Sequence, residues 1–275
     1  IYTIFASKSQ EVSLRSQISL SQIPRELDPV AFDEYLALTY ILPPRTIFSK
    51  VKKVQPAHFF IWENRNISIK RYWDININDK MDVSLKEAKS LVLNKLEECV
   101  RIRLISDVPL GAFLSGGLDS SLIVALASRH VTRPMDTFSI GFEHQAYNEL
   151  PYARDVSKIF NTNHHEFMVK PMEADNLPQL IRHFGEPYGD FSALPMWRLA
   201  EETRKCVTVA LSGDGGDELF AGYGRHRIFL LYNAVSRTVP QTLLNLSSPF
   251  LGSPGSTSGV MRKMQRFAQI VSQPP

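Results

Sequence analysis

The chain of 275 residues can form one large domain or two of ordinary size, and its 44% hydrophobic and 21% charged residues are close to the globular average. A net charge of +3 gives no footing for nucleic-acid or anionic-membrane binding as the main activity. No apolar run approaches the ~18 residues of a membrane span and no signal peptide is visible, which predicts a soluble cytoplasmic protein.

The chain opens at Ile1 inside a β-rich run, residues 1–6, without an initiator Met. It closes at Pro275 straight after an amphipathic segment, residues 261–271, a texture from which a fragment is expected. Asp28 and Pro29 suit the N-cap and N1 positions of a helix carrying Phe32, Tyr35, Leu36 and Leu38, which Pro43-Pro44 ends. Strands are expected over 58–62 and 67–72, separated by the polar turn Glu63-Asn64-Arg65-Asn66. The polar run 76–80 reads as a linker and sets a domain boundary near residue 78, dividing the chain into 1–78 and 79–275.

Ser84 and Glu87 form a capping-box pattern ahead of Leu85, Ala88, Val92, Leu96, Cys99 and Val100 at helical spacing. Cys99 and Cys206 both sit in apolar periodic segments and read as buried free thiols of a reducing compartment. Strands are then predicted over 110–114, 137–142, 166–169 and 207–211. Helices alternate with them over 120–130, 151–160 (with Ala153, Val156 and Ile159 on one side), 177–184 and 195–205. This alternation predicts an α/β fold, a parallel sheet with helices on both faces. Ligands of such sheets sit beyond the carboxyl ends of the strands, which singles out the loops after Leu114 and Leu211.

The first loop is Ser115-Gly116-Gly117-Leu118-Asp119-Ser120-Ser121, at a strand–helix junction. Two glycines allow a phosphate close to the backbone, helix N–H groups face an anion, serines add donors and Asp119 can ligate Mg²⁺. It is not the G-x-x-x-x-G-K-[ST] loop of kinases and GTPases. The second loop, Ser212-Gly213-Asp214-Gly215-Gly216-Asp217-Glu218, sets three carboxylates among three glycines, an arrangement that calls for a cation or a shared proton. Adjacent His164 and His165 point to opposite faces of a strand, which favours hydrogen-bonding roles over a shared metal. Glu186, Asp190 and Ser192 either contact substrate or cap a helix, and Tyr223 either borders the site or packs. Arg204 and Lys205 are simplest as helix-dipole partners.

The two loops in this order resemble the synthetase domain of glutamine-hydrolysing asparagine synthetases. The lead-in from Arg101 to Gly111 (Arg-Ile-Arg-Leu-Ile-Ser-Asp-Val-Pro-Leu-Gly) is similar to that family too, as are Thr137-Phe138-Ser139-Ile140-Gly141-Phe142, Tyr147-Asn148-Glu149, His164-His165-Glu166 and Glu186-Pro187-Tyr188-Gly189-Asp190. Pro43-Pro44-Arg45-Thr46 and Arg71-Tyr72-Trp73 fit its domain connector. The resemblance implies an adenine nucleotide alpha-hydrolase-like (PP-loop) domain over 79–275, preceded by a partial β-rich glutaminase remnant plus connector over 1–78. It implies that Ser115, Gly116, Gly117, Asp119, Ser120 and Ser121 hold the departing pyrophosphate of ATP. Leu114, Ile140, Ser212 and Gly213 would contact adenosine and the α-phosphate, and Asp119 and Asp217 would coordinate Mg²⁺. Asp214 stands where relatives often carry glutamate, and would assist formation of β-aspartyl-AMP or the attack of ammonia.

The substrates so implied are aspartate, ATP and glutamine-derived ammonia, with no nucleic-acid or membrane partner, and a homodimer is allowed. The family's N-terminal cysteine nucleophile has no counterpart here, and its catalytic lysine is expected beyond residue 275, which predicts a poor enzyme from this stretch alone. Two other readings stand beside this one. The first is a related amidotransferase or β-lactam synthetase-like ligase acting on another carboxylate. The second is a nucleotide-binding module without catalysis.

Overall fold

The computed structural model describes residues 23–169 and 177–238. The expected strand at 1–6 and the amphipathic segment at 261–271 lie outside them. The chain divides into two compact units between Ser212 and Gly213, and each is described by itself.

In the first unit, helix α1 spans Pro29–Leu38. The Asp28 carboxylate accepts the N–H groups of Val30 (3.0 Å) and Ala31 (3.2 Å), and Pro29 occupies N1, where no donor is lost. The helix ends before the prolines, at Thr39 in the left-handed conformation. Strands β1 (His58–Glu63) and β2 (Asn66–Arg71) form an antiparallel hairpin paired from His58↔Arg71 to Glu63↔Asn66. Asn64 and Arg65 between them both have positive φ, the signature of the tight turn whose twist matches a hairpin.

Helix α2 (Leu85–Arg103) starts as expected, with the Ser84 hydroxyl accepting the Glu87 N–H at 3.2 Å. Only its C-terminal part reaches the core, through Leu96, Val100 and Leu104. Leu85 and Val92 are exposed, and so is Cys99, contrary to the expected burial. Helical spacing marks a face of α2, but its N-terminal part outruns the core, and Cys99 falls beside the Leu96, Val100 and Leu104 row that meets it. Cys206 is exposed too, in the turn that follows the last helix before the sheet's edge strand.

The sheet comprises β3 (Leu110–Phe113), β4 (Asp136–Phe142), β5 (Asn163–Val169) and β6 (Val209–Leu211), in the order β5-β4-β3-β6, all parallel. Helices α3 (Leu118–Ser128) and α4 (Leu150–Phe160) join α2 over one face. Their core gathers Val100, Ala112, Leu114, Val124, Ala127 and Ala153. Helix α6 (Ala193–Thr203) covers the other face, where Leu199, Val207, Phe138, Phe113 and Phe167 pack together; α5 (Leu177–Phe184) precedes it. Successive β3 residues, Ala112 and Phe113, thus enter opposite cores, as the strand's period of two demands. Complete burial of the Phe138 ring alone is worth about 1.5–3 kcal/mol.

Several boundaries differ from the sequence expectation. Strand β5 begins at Asn163 because the Asn163 N–H already pairs with the Met135 carbonyl at 2.8 Å. Val207 is not in the ladder: its N–H still bonds to the Thr203 carbonyl of α6 (2.9 Å), and pairing with the sheet starts at Thr208. On α4, Ile159 is exposed, while Leu150, Ala153 and Ser157 are buried and Phe160 packs on the core. Repeated steps of three drift off a face whose period is 3.6 residues.

The second unit contains α7 (Gly216–Phe220) and α8 (Gly224–Thr238). Among the described residues no helix is long and apolar enough to cross a membrane.

Candidate functional site

The carboxyl edge of the sheet collects the predicted residues of the first unit. β3 and β4 are in register at Phe113↔Phe138, and β3 and β6 at Ala112↔Leu211. Leu114 and Ser212 therefore follow the last residues of neighbouring strands, Ile140 lies on the third strand two residues before its end at Phe142, and residues 115–117 leave from the middle one. Leu114 is buried, and its N–H completes the ladder to the Phe138 carbonyl at 2.9 Å.

The loop is shaped by its glycines. Gly116 has φ +80°, and a Cβ there would come within 2.5 Å of the Tyr152 backbone at the start of α4. Only glycine meets both the conformation and the space. Gly117 is the N-cap of α3 and, having no side chain, leaves the helix N-terminus uncapped. First-turn N–H groups and the helix dipole then face outward, an arrangement suited to phosphate. The helix begins at Leu118 rather than Ser120, which places half-buried Asp119 in its first turn.

Two of the three loop serines bond within the loop itself. The Ser115 N–H donates to the Ser120 hydroxyl (3.2 Å) and the Gly117 N–H to the Ser115 hydroxyl (3.1 Å). The two hydroxyls lie 2.9 Å apart, and Ser120 also reaches the Gly117 carbonyl at 3.3 Å. Ser115 and Ser120 thus brace the loop from within. Ser121 carries a buried hydroxyl without a hydrogen-bond partner. That brace is not legible in composition, because a serine-rich loop reads as a set of outward donors.

The second loop begins at Ser212 and continues in the second unit. Gly215 has φ +92° and caps α7, and the Gly216 N–H closes a turn onto the Gly213 carbonyl at 3.3 Å. Asp217 lies in the first turn of α7, and its carboxylate occupies the space a Cβ on Gly222 would need. The Tyr223 hydroxyl donates to Glu218 at 2.7 Å, and the Arg225 guanidinium lies 4.3 Å above the Tyr223 ring. Through that hydrogen bond, the Glu218 carboxyl is held below its usual range and the Tyr223 hydroxyl is raised. Glu218 is therefore stabilised as an anion by its own unit, and Tyr223 serves as its partner. Asp214 is exposed.

The remaining candidates have structural partners. Glu186 forms an ion pair with Lys53, whose ammonium also donates to the Ile41 carbonyl at 3.0 Å. Asp190 accepts the Ser192 N–H (2.8 Å) ahead of α6, which holds its carboxyl below the usual range. His164 lies 2.9 Å from the Thr137 hydroxyl, and His165 lies 2.9 Å from Asp136 and stacks on Phe138. The two imidazoles thus keep separate partners. Lys205 pairs with Glu202, and Arg204 donates to Thr208. Among the described residues no three His, Cys, Asp or Glu side chains converge as a metal-binding group. Mg²⁺ needs no such group, since that ion takes as few as one or two protein carboxylates together with substrate phosphates.

The family described as Asparagine synthase matches residues 91–274. The chain is 35% identical over 231 residues to asparagine synthetase [glutamine-hydrolyzing] 1 of Bacillus subtilis (strain 168), covering 82% of this chain and 36% of that one. It is 37% identical over 231 residues to the putative asparagine synthetase [glutamine-hydrolyzing] 2 of Methanocaldococcus jannaschii, covering 81% and 43%. It therefore spans less than half the length of these curated relatives. A solved NMN synthetase from Francisella tularensis superposes with a TM-score of 0.34 at 18% identity, over 52% of this chain and 59% of that one, too loosely to bear on function. With the family match covering the sheet, its carboxyl-edge loop and the acidic loop beyond it, the chain belongs to the asparagine synthase family.

Proposed function

We propose that the chain carries the ATP-cleaving part of a glutamine-hydrolysing asparagine synthetase, a carbon–nitrogen ligase. The observation that supports this best is the uncapped N-terminus of α3 behind Gly116 and Gly117, at the carboxyl edge of a parallel sheet in a chain of this family. In the proposed reaction the side-chain carboxylate of aspartate attacks the α-phosphorus of ATP and pyrophosphate leaves. Ammonia, released from glutamine, then attacks the acyl carbon; AMP leaves, and asparagine is formed.

A carboxylate is a poor electrophile, and adenylation supplies the leaving group it lacks. The protein contributes position and charge neutralisation. The loop from Ser115 to Ser121, with the first-turn N–H groups of α3, would hold the departing pyrophosphate. Leu114, Ile140 and Ser212 would meet the nucleoside and α-phosphate, together with Gly213. Asp119 and Asp217 would hold Mg²⁺, which neutralises phosphate charge when bound. Asp214 would guide the proton lost as ammonia attacks, and its shorter side chain places the carboxylate about one C–C bond further back than a glutamate would. Residues 1–78 are read as the end of the glutaminase domain and its connector, and the protein as cytoplasmic, with a homodimer as an allowed assembly.

The test uses the full-length protein. Aspartate-dependent exchange between pyrophosphate and ATP, together with asparagine formation from glutamine or ammonia, is the expected result. Exchange driven by a different carboxylate, or none at all, would overturn the assignment.

A further inference from the structure

The carbonyl of Leu114 is where the sheet stops and the phosphate loop starts. The β3–β4 register ends at Phe113↔Phe138, with one further bond from the Leu114 N–H to Phe138. Beyond that bond the chain must leave the plane of the sheet to form the loop. At that point the Ser139 hydroxyl of β4 donates to the Leu114 carbonyl. Ser139 is 4% exposed and Leu114 is 1% exposed, so this bond has no water to replace it.

From the geometry we infer that Ser139 is a positioning residue for the nucleotide, acting through the backbone of Leu114. The inference rests on the reading of the 115–121 loop as the ATP site. A side-chain hydroxyl on a neighbouring strand fixes the direction in which β3 turns into its loop, while leaving the strand free to diverge. The next residue, Ser115, is already tied by its N–H to Ser120. The loop is therefore held at its entry by Ser139 and internally by Ser120, and its outward N–H groups are preset before phosphate arrives. Without the hydroxyl, the buried Leu114 carbonyl loses its partner, and the loop entry can rotate to seek another.

The experiment compares Ser139→Ala, Ser139→Val and Ser139→Thr in the full-length protein, by steady-state kinetics and by pyrophosphate–ATP exchange. Thr and Val have nearly the same shape and differ in the hydroxyl, so their contrast isolates the hydrogen bond from packing. The expected result is a rise in KM for ATP of about tenfold for Ala and Val, little change in KM for the carboxylate substrate, and recovery with Thr. Equal KM for ATP in Val and Thr, or an unchanged KM in a folded Ala variant, would overturn the inference while leaving the ATP site intact. Absence of carboxylate-dependent exchange in the wild type would instead overturn the functional reading on which it rests.

Discussion

Lys53 reaches across from the N-terminal segment to form an ion pair with Glu186, and its ammonium also donates to the Ile41 carbonyl at 3.0 Å. The second Glu186 oxygen is buried without a hydrogen-bond partner. Nearby, the Gly189 N–H donates to the Thr39 carbonyl at 2.8 Å, so residues 39–53 and the 185–190 loop are joined at two points. Lys53→Met leaves a poorly solvated carboxylate without its cation. Because the side chains keep 27% and 19% exposure, the expected loss is about 1–2 kcal/mol rather than the larger cost of a fully buried pair. Urea unfolding of the full-length protein checks this. Glu186→Gln is expected to cost less, since an amide needs no counter-charge.

Gly116→Ala tests the phosphate loop directly. The substitution meets both a left-handed φ and the Tyr152 backbone, so the loop must move away from α4. Strain of about 1–3 kcal/mol is expected, with loss of pyrophosphate–ATP exchange well beyond what that destabilisation explains. Exchange at the wild-type rate would show that the loop's present shape is not the one ATP uses.

His164 gives a pH dependence of known sign. Burial lowers its pKa from 6.5; Glu166 opposes this, while His165 and Arg154 add to it. The neutral ring is therefore favoured in the folded state, whereas the unfolded chain takes up a proton near the ordinary value. Stability is highest above pH 6.5 and falls as the pH drops through the window between the unfolded value and the lower folded one. The carboxyls of Glu166 and Asp190, held low in the folded state, add their own losses only nearer pH 4.5 and 3.8. Denaturant unfolding between pH 7 and 5 (roughly the histidine range) should show a slope that His164→Asn flattens. An unchanged slope in that variant would place the proton uptake elsewhere.

How much of this was legible in the sequence depended on whether the signal was local. Asp28-Pro29 and Ser84-x-x-Glu87 carry their caps within four residues, and both helices start as expected. The strand–loop–helix around Gly116 and Gly117 was legible because glycine spacing states a backbone requirement. What could not be read depends on partners distant in sequence or on where a packing surface ends. Cys99 lies on the apolar stripe of α2 and is nevertheless exposed, because the core is met only by the row Leu96, Val100 and Leu104, and Cys99 falls beside it. Ser139 read only as part of a strand motif, since its partner lies 25 positions away. The Tyr223–Glu218 bond similarly turns a residue left open between the site and packing into a local counterpart for one carboxylate.

Gly222 has a role visible only through Asp217. A Cβ at this position would fall on the Asp217 carboxylate and lie 3.2 Å from the Asp217 Cα, so Gly222→Ala forces that side chain into another rotamer with a small backbone adjustment. No positive φ is involved at Gly222, and the Gly222 N–H can keep its bond to the Asp217 carbonyl at 3.0 Å. The fold of the second unit should therefore tolerate the change, with a thermal midpoint close to that of the wild type. If Asp217 ligates Mg²⁺ as proposed, displacing its oxygen raises the Mg²⁺ concentration needed for half-maximal pyrophosphate–ATP exchange by about tenfold. Asp217→Asn, which keeps the shape and removes the charge, should raise it as well. A Mg²⁺ requirement unchanged in both variants, in protein that still melts like the wild type, would remove Asp217 from the metal site and leave its carboxylate a structural role beside Gly222.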